Sequence, residues 1–150
     1  MDDVVNLEVK KSQIKKQTCF LQLSDKETEE LAGLLVEKKV VPGETIVTEG
    51  DLVDHVFLIL RGEADVRVAK IKDHVLSYDS VATLKPGASI GLNETGFYSL
   101  SGKRTATVVA NTEMLLLQLS VAKFHGFALA NPHVNEVMRK GAAQFDIGSV

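Results

Sequence analysis

The sequence lacks the features that mark several large classes of protein. It has a single cysteine, Cys19, in 150 residues, which excludes an internal disulfide and a metal site built from several cysteines, and which fits a reducing compartment. No apolar run approaches the roughly 20 residues that a membrane-spanning helix needs. The first residues, Met-Asp-Asp-Val-Val, are acidic where a secretory signal is basic. We therefore expect a cytoplasmic protein with no membrane span.

Positive charge is also scarce. Seventeen Lys and Arg stand against 20 Asp and Glu, for a formal net charge of −3, which argues against a general nucleic-acid binder because phosphate contacts need clustered positive side chains. One basic cluster is present, at Lys10, Lys11, Lys15 and Lys16. Such a cluster is typical of the solvated face of a terminal helix. No nucleic acid is therefore expected as a partner.

What the chain does have is the size and composition of one ordinary globular domain. Its 150 residues are 45% apolar and 25% charged, which is enough apolar material for a core that folds alone. No long linker, repeat or low-complexity tract interrupts the sequence. We expect a single domain over residues 1–150, with its core at about residues 20–140.

The first part of the chain has helical patterns. A polar helix or helix pair is predicted over Val4–Phe20, ending in an apolar plug formed by Cys19-Phe20-Leu21. Ser24-Asp25-Lys26-Glu27 has the pattern of a capping box, in which the serine side chain and the glutamate three residues later each bond a backbone amide. Leucines at helical spacing follow, so this pattern predicts a helix from Asp25 to about Glu37.

From Lys38 the pattern changes to short β-type runs separated by glycine turns. Turn signals recur every 8–12 residues or so, which indicates a sandwich or barrel rather than a parallel α/β sheet. The predicted strands are Lys39–Val41, Thr45–Thr48, Val56–Leu60, Ala64–Ile71, Val81–Leu84, Ser89–Gly91, Arg104–Ala110 and Met114–Leu119.

Helical spacing returns after Leu119. Ser120 is a candidate N-cap for a helix whose apolar stripe includes Val121, Phe124 and Leu129. Asn131-Pro132 starts a second helix, with proline at its first position, and we expect that helix to end at Gly141 before a frayed tail. The order of elements predicts a mainly β fold with flanking α-helices.

Two groups of residues resemble the cyclic nucleotide-binding domain family. Val41–Asp51 (VPGETIVTEGD) and Val56–Val66 (VFLILRGEADV) are similar to its first half, while Leu84–Gly87, Gly91 and Arg104–Val108 are similar to its second half. The likeness runs from about Phe20 to Met138. It implies a double-stranded antiparallel β-roll, jelly-roll-like, with an N-terminal helix and C-terminal helices. It also implies a regulatory, non-enzymatic module that senses cAMP or cGMP and needs no other cofactor.

The resemblance also implies where the ligand lies. In the family pattern a glycine is followed by a glutamate that takes the ribose 2′-hydroxyl, then by a short helix whose N-terminal amides meet the phosphate. An arginine then pairs with that phosphate through its planar fork of donors. The implied ligand-binding residues here are Gly91, Leu92, Asn93, Glu94, Arg104, Thr105 and Ala106.

The sequence departs from that family pattern in the stretch between Gly91 and Arg104. Leu92 stands where the family has its glutamate, Lys103 stands where proline is common, and the stretch is about three residues longer than usual. Glu94 either reaches the ribose from a shifted position or is a solvated loop acid. A missing carboxylate leaves the sugar hydroxyl with one partner fewer.

Three side chains near the implied site have alternative roles. Thr105 resembles the threonine of family members that accept cGMP, since its hydroxyl can reach the guanine amino group. Phe97 and Tyr98 either stack on the base or anchor the loop, and anchoring is favoured because loop aromatics usually pack inward.

Three functions stay open at this point. The first is a regulatory module in which a cyclic nucleotide or another small anion, held by Arg104 and the amides after Gly91, repositions the C-terminal helices against an effector domain or partner protein. The second is a degenerate roll that binds no nucleotide and serves as a structural or protein-interaction module, as Leu92 and the longer stretch suggest. The third is a metal-dependent cupin enzyme.

The residues give the cupin enzyme little support. Such a site needs two or three histidines and a carboxylate that converge on one metal, whereas the histidines here form no His-x-His pair; they are His55, His74, His125 and His133. We therefore predict no catalytic residue and no metal ligand. If the chain is complete, it carries no winged or helix-turn-helix domain and is not a transcription regulator of the catabolite-activator type. If it is a fragment, the missing part is a channel, exchanger, kinase or other effector.

Overall fold

The computed structural model describes residues 5–93, 96–97 and 102–146. The helices are α1 (Leu7–Lys15), a 3-10 turn (Thr18–Phe20), α2 (Asp25–Ala32), α3 (Val121–Ala130) and α4 (Pro132–Asp146). The strands are β1 (Val36–Val40), β2 (Thr45–Val47), β3 (His55–Arg61), β4 (Ala64–Lys72), β5 (Val75–Leu84), β6 (Ser89–Ile90), β7 (Leu92–Asn93), β8 (Gly96–Phe97), β9 (Thr107–Ala110) and β10 (Met114–Ser120).

Two four-stranded antiparallel sheets form the β-roll. One has the order β1-β10-β3-β6 and the other β2-β9-β4-β5, and β7 pairs with β8 as a separate ribbon. The inner faces of the two sheets meet in one apolar cluster that includes Phe57, Ile59 and Leu116 from the first sheet and Val47 and Val108 from the second. The predicted fold class, a mainly β roll with helices before and after it, is confirmed.

Several predicted boundaries were wrong where the pattern was ambiguous. The helix that was expected to reach Glu37 ends at Ala32, with Gly33 as its C-cap, and β1 then pairs with β10 from Val36 onward. Strand β9 begins at Thr107 rather than at Arg104. β5 is ten residues long because β4 and β5 form one long hairpin, whereas the sequence pattern indicated only Val81–Leu84.

The N-terminal segment packs under the roll. Phe20 is almost fully buried, as the predicted apolar plug requires, but Leu21 is 52% exposed and does not belong to the plug. The ammonium groups of Lys10 and Lys15 donate to the backbone carbonyls of Leu35 and Leu23 at 3.0 and 3.1 Å. These two lysines tie α1 to the segments around α2, so the interpretation of the whole basic cluster as a solvated face was wrong for them.

The C-terminal helices and Phe20 belong to a second apolar cluster, distinct from the one between the inner faces of the two sheets. Ser120 caps α3 by accepting from the Lys123 amide, as predicted. Phe124 and Phe127 are buried, whereas Leu129 is 66% exposed and lies off the apolar stripe. Helix α4 continues past Gly141 to Asp146. The prediction that the helix ends at Gly141 and is followed by a frayed tail was therefore wrong up to Asp146.

An ion pair joins the start of α4 to the start of α2. The His133 Nδ1 atom lies 2.8 Å from the Glu27 Oε1 atom, and the same oxygen accepts from the Ser24 amide in the capping box. Partial burial raises the pKa of Glu27, but the Ser24 amide and His133 outweigh it and hold that pKa below its ordinary value. The ionised carboxylate therefore stabilises the docking of the C-terminal helices onto the N-terminal segment.

We expect Glu27→Gln to lower the melting temperature at pH 6 but not at pH 3. Glutamine can keep the capping box, whereas the charge facing His133 is lost. A carboxyl whose pKa is lowered on folding stabilises the fold above its unfolded pKa, about 4.3, and this contribution is lost as the pH falls through the folded pKa. Differential scanning fluorimetry across this range measures the gap between wild type and variant. Glu30→Gln, at an exposed position on the same helix, is the control, and a gap that is equally large at pH 3 contradicts the assignment.

Candidate ligand-binding site

A cavity of about 280 Å³ opens between the two sheets beside Gly91 and Arg104. Valines of β2, β4 and β9, together with Ile90 of β6, form much of its wall. Arg104, Thr105 and Ala106 precede β9 and close one side, and Gly91 and Leu92 close another. The roll therefore gathers residues that are far apart in the chain around one hollow, in the place where the sequence predicted a site.

The backbone of Arg104 is fixed by the turn between β2 and β3. The Arg104 amide donates to the Asp51 carbonyl at 2.7 Å, and the Gly50 amide donates to the Arg104 carbonyl at 2.9 Å. One residue further out, Leu52 and Lys103 form an antiparallel bridge. The position of the arginine is therefore set by this turn, and its side chain leaves the backbone at a defined point on the cavity wall.

The guanidinium of Arg104 is buried but only partly paired. The residue is 8% exposed, and its Nη2 atom donates to the carbonyl of His55 at the start of β3. Its Nη1 atom is buried with no hydrogen-bond partner in the part of the chain that the structure describes. A buried donor on a charged group that lacks an acceptor costs free energy. An anion that accepts a hydrogen bond from Nη1 would remove this cost, and this would favour its binding.

The charge of Arg104 persists despite its burial. Burial lowers the pKa of the guanidinium from its ordinary value, while the carboxylates of Asp54 and Asp51 raise it. The ordinary pKa of an arginine lies far above neutral pH, so the group stays protonated at neutral pH. The cavity therefore holds a permanent positive charge on a largely apolar wall, where electrostatic attraction is stronger than in water.

Gly91 allows the guanidinium to lie against the backbone. The residue has φ +94°, a conformation that side chains rarely adopt, and a Cβ atom there would lie 2.8 Å from Val56 Cγ1 and 3.0 Å from Arg104 Nη1. A glycine is therefore required both by the turn and by the close approach. The structure brings Gly91 and Arg104 together although 12 residues separate them in the sequence.

The stretch after Gly91 differs from the implied helical turn. Leu92 and Asn93 pair in antiparallel register with Phe97 and Gly96, so the chain leaves Gly91 as a strand at the point where the short helix was expected to begin. Leu92 is 7% exposed and belongs to the apolar core while also lining the cavity. Glu94 and Tyr98 lie outside the described residues, as do the predictions made for them.

The other predicted site residues have different positions around the cavity. Thr105 lines the cavity and is exposed, and Ala106 lines it and is half-buried. Asn93 and Phe97 are placed by their backbones in the β7–β8 ribbon. The sequence predicts a turn at Glu49-Gly50-Asp51, but it does not show that Gly50 and Asp51 hold the backbone of Arg104.

Two further observations bear on the alternatives. In residues 5–93, 96–97 and 102–146, no group of three or more His, Cys, Asp or Glu side chains is arranged to hold a metal ion. Across the same residues, each helix is too short or too polar to cross a membrane.

The chain is similar to known proteins over most of its length. A family model described as "Cyclic nucleotide-binding domain" matches residues 37–131. A search of curated proteins gives no match. Among solved structures, the N-terminal domain of a transcriptional regulator from Streptomyces coelicolor is 25% identical, with a TM-score of 0.73 and 88% of each chain covered.

Two other solved structures share the fold at lower identity. The cAMP-bound regulatory domain of Toxoplasma gondii PKA is 20% identical with a TM-score of 0.70, and the Thermus thermophilus catabolite activator protein is 21% identical with a TM-score of 0.66. Each alignment covers 85% of this chain, but only 46% and 57% of those two proteins. The chain thus spans about half the length of these larger relatives.

Proposed function

Since the chain belongs to the cyclic nucleotide-binding domain family, we propose that it is a regulatory, non-catalytic module that binds a small anion inside its roll, with cAMP and cGMP as the first ligands to test. The observation that carries the proposal is the buried Nη1 atom of Arg104 beside Gly91, which has no hydrogen-bond partner among the described residues. The phosphate of a cyclic nucleotide would accept from this donor. Leu92 would contact the sugar where the family pattern has a glutamate.

Binding would be transmitted through the strands that also support the helices. Arg104 donates to the carbonyl of His55, and the neighbouring Asp54 carbonyl accepts from the amide of Val121, the first residue of α3, at 3.0 Å. An anion that draws the guanidinium toward the cavity therefore pulls on the residue next to the α3 attachment. A ligand shifts the position of α3 and α4 only by its difference in affinity between two arrangements.

We expect Arg104→Met to weaken binding of cAMP or cGMP by about 10- to 100-fold, which is what a hydrogen bond to a charged group contributes. Methionine keeps much of the side-chain volume. A loss of affinity in this variant therefore reflects the missing positive charge rather than a collapsed cavity. Isothermal titration calorimetry on the wild type and the variant measures the two affinities.

Arg139→Met is the matched control, because this arginine is exposed on α4 and away from the cavity. It should leave both affinities within about twofold, since the effect of a distant charge is screened. Equal affinity in Arg104→Met and wild type would contradict the proposal.

A second candidate function is a structural or protein-interaction module that binds no nucleotide. The burial of Leu92 in the core favours it, because a ribose hydroxyl then meets an apolar side chain. This candidate predicts no heat with either nucleotide at high micromolar concentration and no thermal shift.

A further inference from the structure

The β4–β5 hairpin extends beyond the rest of its sheet. β4 pairs with β9 only over Ala64–Arg67, whereas it pairs with β5 along its whole length. The two residues of the turn between them, Asp73 and His74, have φ of 53° and 66°, as a type I′ turn requires. The hairpin therefore ends in a two-stranded ribbon, residues 68–79, with β5 as the outermost strand of the sheet.

The outer side of β5 presents backbone hydrogen-bonding groups. A tight turn joins its first residue to its fourth, so Lys72 and Val75 hydrogen-bond each other across the hairpin. Donor and acceptor groups alternate in direction along a strand. The N–H and C=O groups of Leu76, Tyr78 and Ser80 therefore point away from β4. Such a row of groups is a template for pairing with another strand.

The other edge strands of the two sheets are protected against such pairing, but β5 is not. β2 and β6 have only three and two residues, and β1 carries three charged side chains at its centre, Glu37, Lys38 and Lys39. Short length and charge are common protections of an exposed edge. β5 has ten residues without Lys, Arg, Glu or Pro, and its one charge, on Asp79, lies 3.1 Å from the Lys70 ammonium.

The opposite edge of the ribbon is covered by a charged side chain. The Ala69 amide, on the side of β4 that faces away from β5, donates to the Glu49 carboxylate at 2.9 Å. One bulge interrupts β5, at Val81 near the inner end of the strand, so residues 75–80 form a regular edge. The outer side of β5 is thus the place where this fold accepts a further strand.

Apolar side chains are concentrated on the same hairpin. Among the residues that the structure describes, eleven large apolar side chains are exposed, and five of them lie between residues 71 and 81. They are Ile71, Val75, Leu76, Tyr78 and Val81, each 56–75% exposed. Ile71 lies directly opposite Leu76, so these two side chains form one patch. Exposed apolar side chains gathered at one place mark an interaction surface, because their burial is favourable.

From the open edge and its apolar side chains we propose that this chain forms a homodimer in which the β5 strands of two copies pair antiparallel about a two-fold axis. A strand is the partner that satisfies the outward N–H and C=O groups. A two-fold axis brings the same surface of both copies together, so that surface must be compatible with itself, and β5 is nearly uncharged and apolar along its length. The dimer does not depend on a ligand in the cavity.

The charge on β5 selects the register of this pairing. Outward-facing residues of one strand must oppose outward-facing residues of the other, so one residue faces its own copy at the axis. An axis at Asp79 would place two carboxylates opposite each other, which is unfavourable. An axis at Tyr78 pairs two aromatic rings, which stabilises a sheet.

The axis at Tyr78 also opposes the largest number of residues, because Tyr78 is the middle residue of the segment 75–81. The other opposed pairs are then Leu76 with Ser80, Val75 with Val81, and Ser77 with Asp79. In this register each Asp79 carboxylate faces a hydroxyl that can donate to it, and no like charges are opposed. The charges on the edge are therefore complementary when β5 pairs with itself.

Sedimentation equilibrium of the full chain tests for the dimer. We expect the wild type to dimerise with a Kd of about 10–100 μM, since one pair of strands buries less area than a standard interface. Tyr78→Lys and Tyr78→Glu each remove the aromatic pair and place two like charges opposite each other at the axis. Each variant alone should therefore dimerise at least about tenfold more weakly than the wild type.

Mixing these two variants tests the register. In the mixed dimer a lysine faces a glutamate across the axis, so it should form at least about fivefold more tightly than the dimer of either variant alone. A partner other than a second copy in this register does not produce this recovery.

Val36→Lys and Val36→Glu are the matched controls, because Val36 is 52% exposed on the edge strand β1 and receives the same charges. Each should leave the Kd within about twofold of the wild type, and mixing the two should give no gain. Tyr78 and Val36 are both exposed, so all four variants are expected to fold, and circular dichroism checks this.

Three results would overturn the proposed dimer. The first is a wild type that stays monomeric at about 500 μM, above the range expected even for a small interface. The second is a Tyr78→Lys variant that dimerises as tightly as the wild type. The third is a mixture of the two Tyr78 variants that associates no better than either variant alone.

Discussion

Replacing Gly62 by alanine should destabilise the protein by about 4 kcal/mol, the sum of a backbone cost and a packing cost. Gly62 has φ +92°, where a non-glycine residue costs about 1–3 kcal/mol. A Cβ atom there would clash with the Glu113 carbonyl oxygen and would lie 2.9 Å from the Met114 Cα atom. Both are backbone atoms, so the backbone at Gly62 must move away from the backbone at Glu113 and Met114. This overpacking adds about 1–3 kcal/mol to the loss of stability. Urea unfolding followed by circular dichroism measures the loss.

Gly43→Ala is the matched control for that prediction. Gly43 has φ +87°, but a Cβ atom there meets nothing within 4 Å. Only the backbone cost of about 1–3 kcal/mol applies, so we expect a smaller loss than in the Gly62 variant. If the two variants lose the same stability, the clash with Glu113 and Met114 does not contribute.

Phe20→Ala should cost about 3–5 kcal/mol and loosen the attachment of the N-terminal segment to the C-terminal helices. Phe20 is 1% exposed, and its ring centroid lies 5.8 Å from that of Phe124 in α3. Truncating a fully buried phenylalanine removes its transfer free energy and leaves a cavity. Because the lost contact joins the two helical segments, hydrogen exchange should accelerate in α1 and α3 more than in the strands.

Leu21→Ala tests whether that loss is specific to the buried ring. Leu21 is the next residue in the chain and is 52% exposed, so its truncation should cost less than about 1 kcal/mol. Comparable losses in the two variants would show that the segment acts only through its backbone.

The fold could be predicted because many weak signals agreed. Capping by Ser24 and Ser120 placed two helix starts at the correct residues, since a cap is a local interaction between neighbours in the chain. The length of β5 could not be predicted in this way. Its exposed, mixed residues carry no alternation, and the strand exists because β4 supplies its hydrogen bonds along the whole hairpin.

The residues of the candidate site remain a prediction, but part of their arrangement can be compared with the structure. Gly91 and Arg104 were chosen because they match the family pattern, and the structure brings them together beside the cavity. The pairing of Leu92 with Phe97 could not be predicted from the sequence, because it depends on which backbone groups meet after the chain has folded. The contacts of the turn at Gly50 and Asp51 could not be predicted for the same reason, because its hydrogen bonds to Arg104 join segments about fifty residues apart.

The anchoring of Arg104 by that turn has a consequence for protein engineering. The Val53 amide also donates to the Gly102 carbonyl at 2.7 Å, so the chain is clamped just before the arginine, while Gly91 is clamped by its place after β6. Backbone hydrogen bonds therefore hold the chain on both sides of Arg104. The side chain at position 104 can be exchanged to change the charge of the cavity while the backbone around it stays in register.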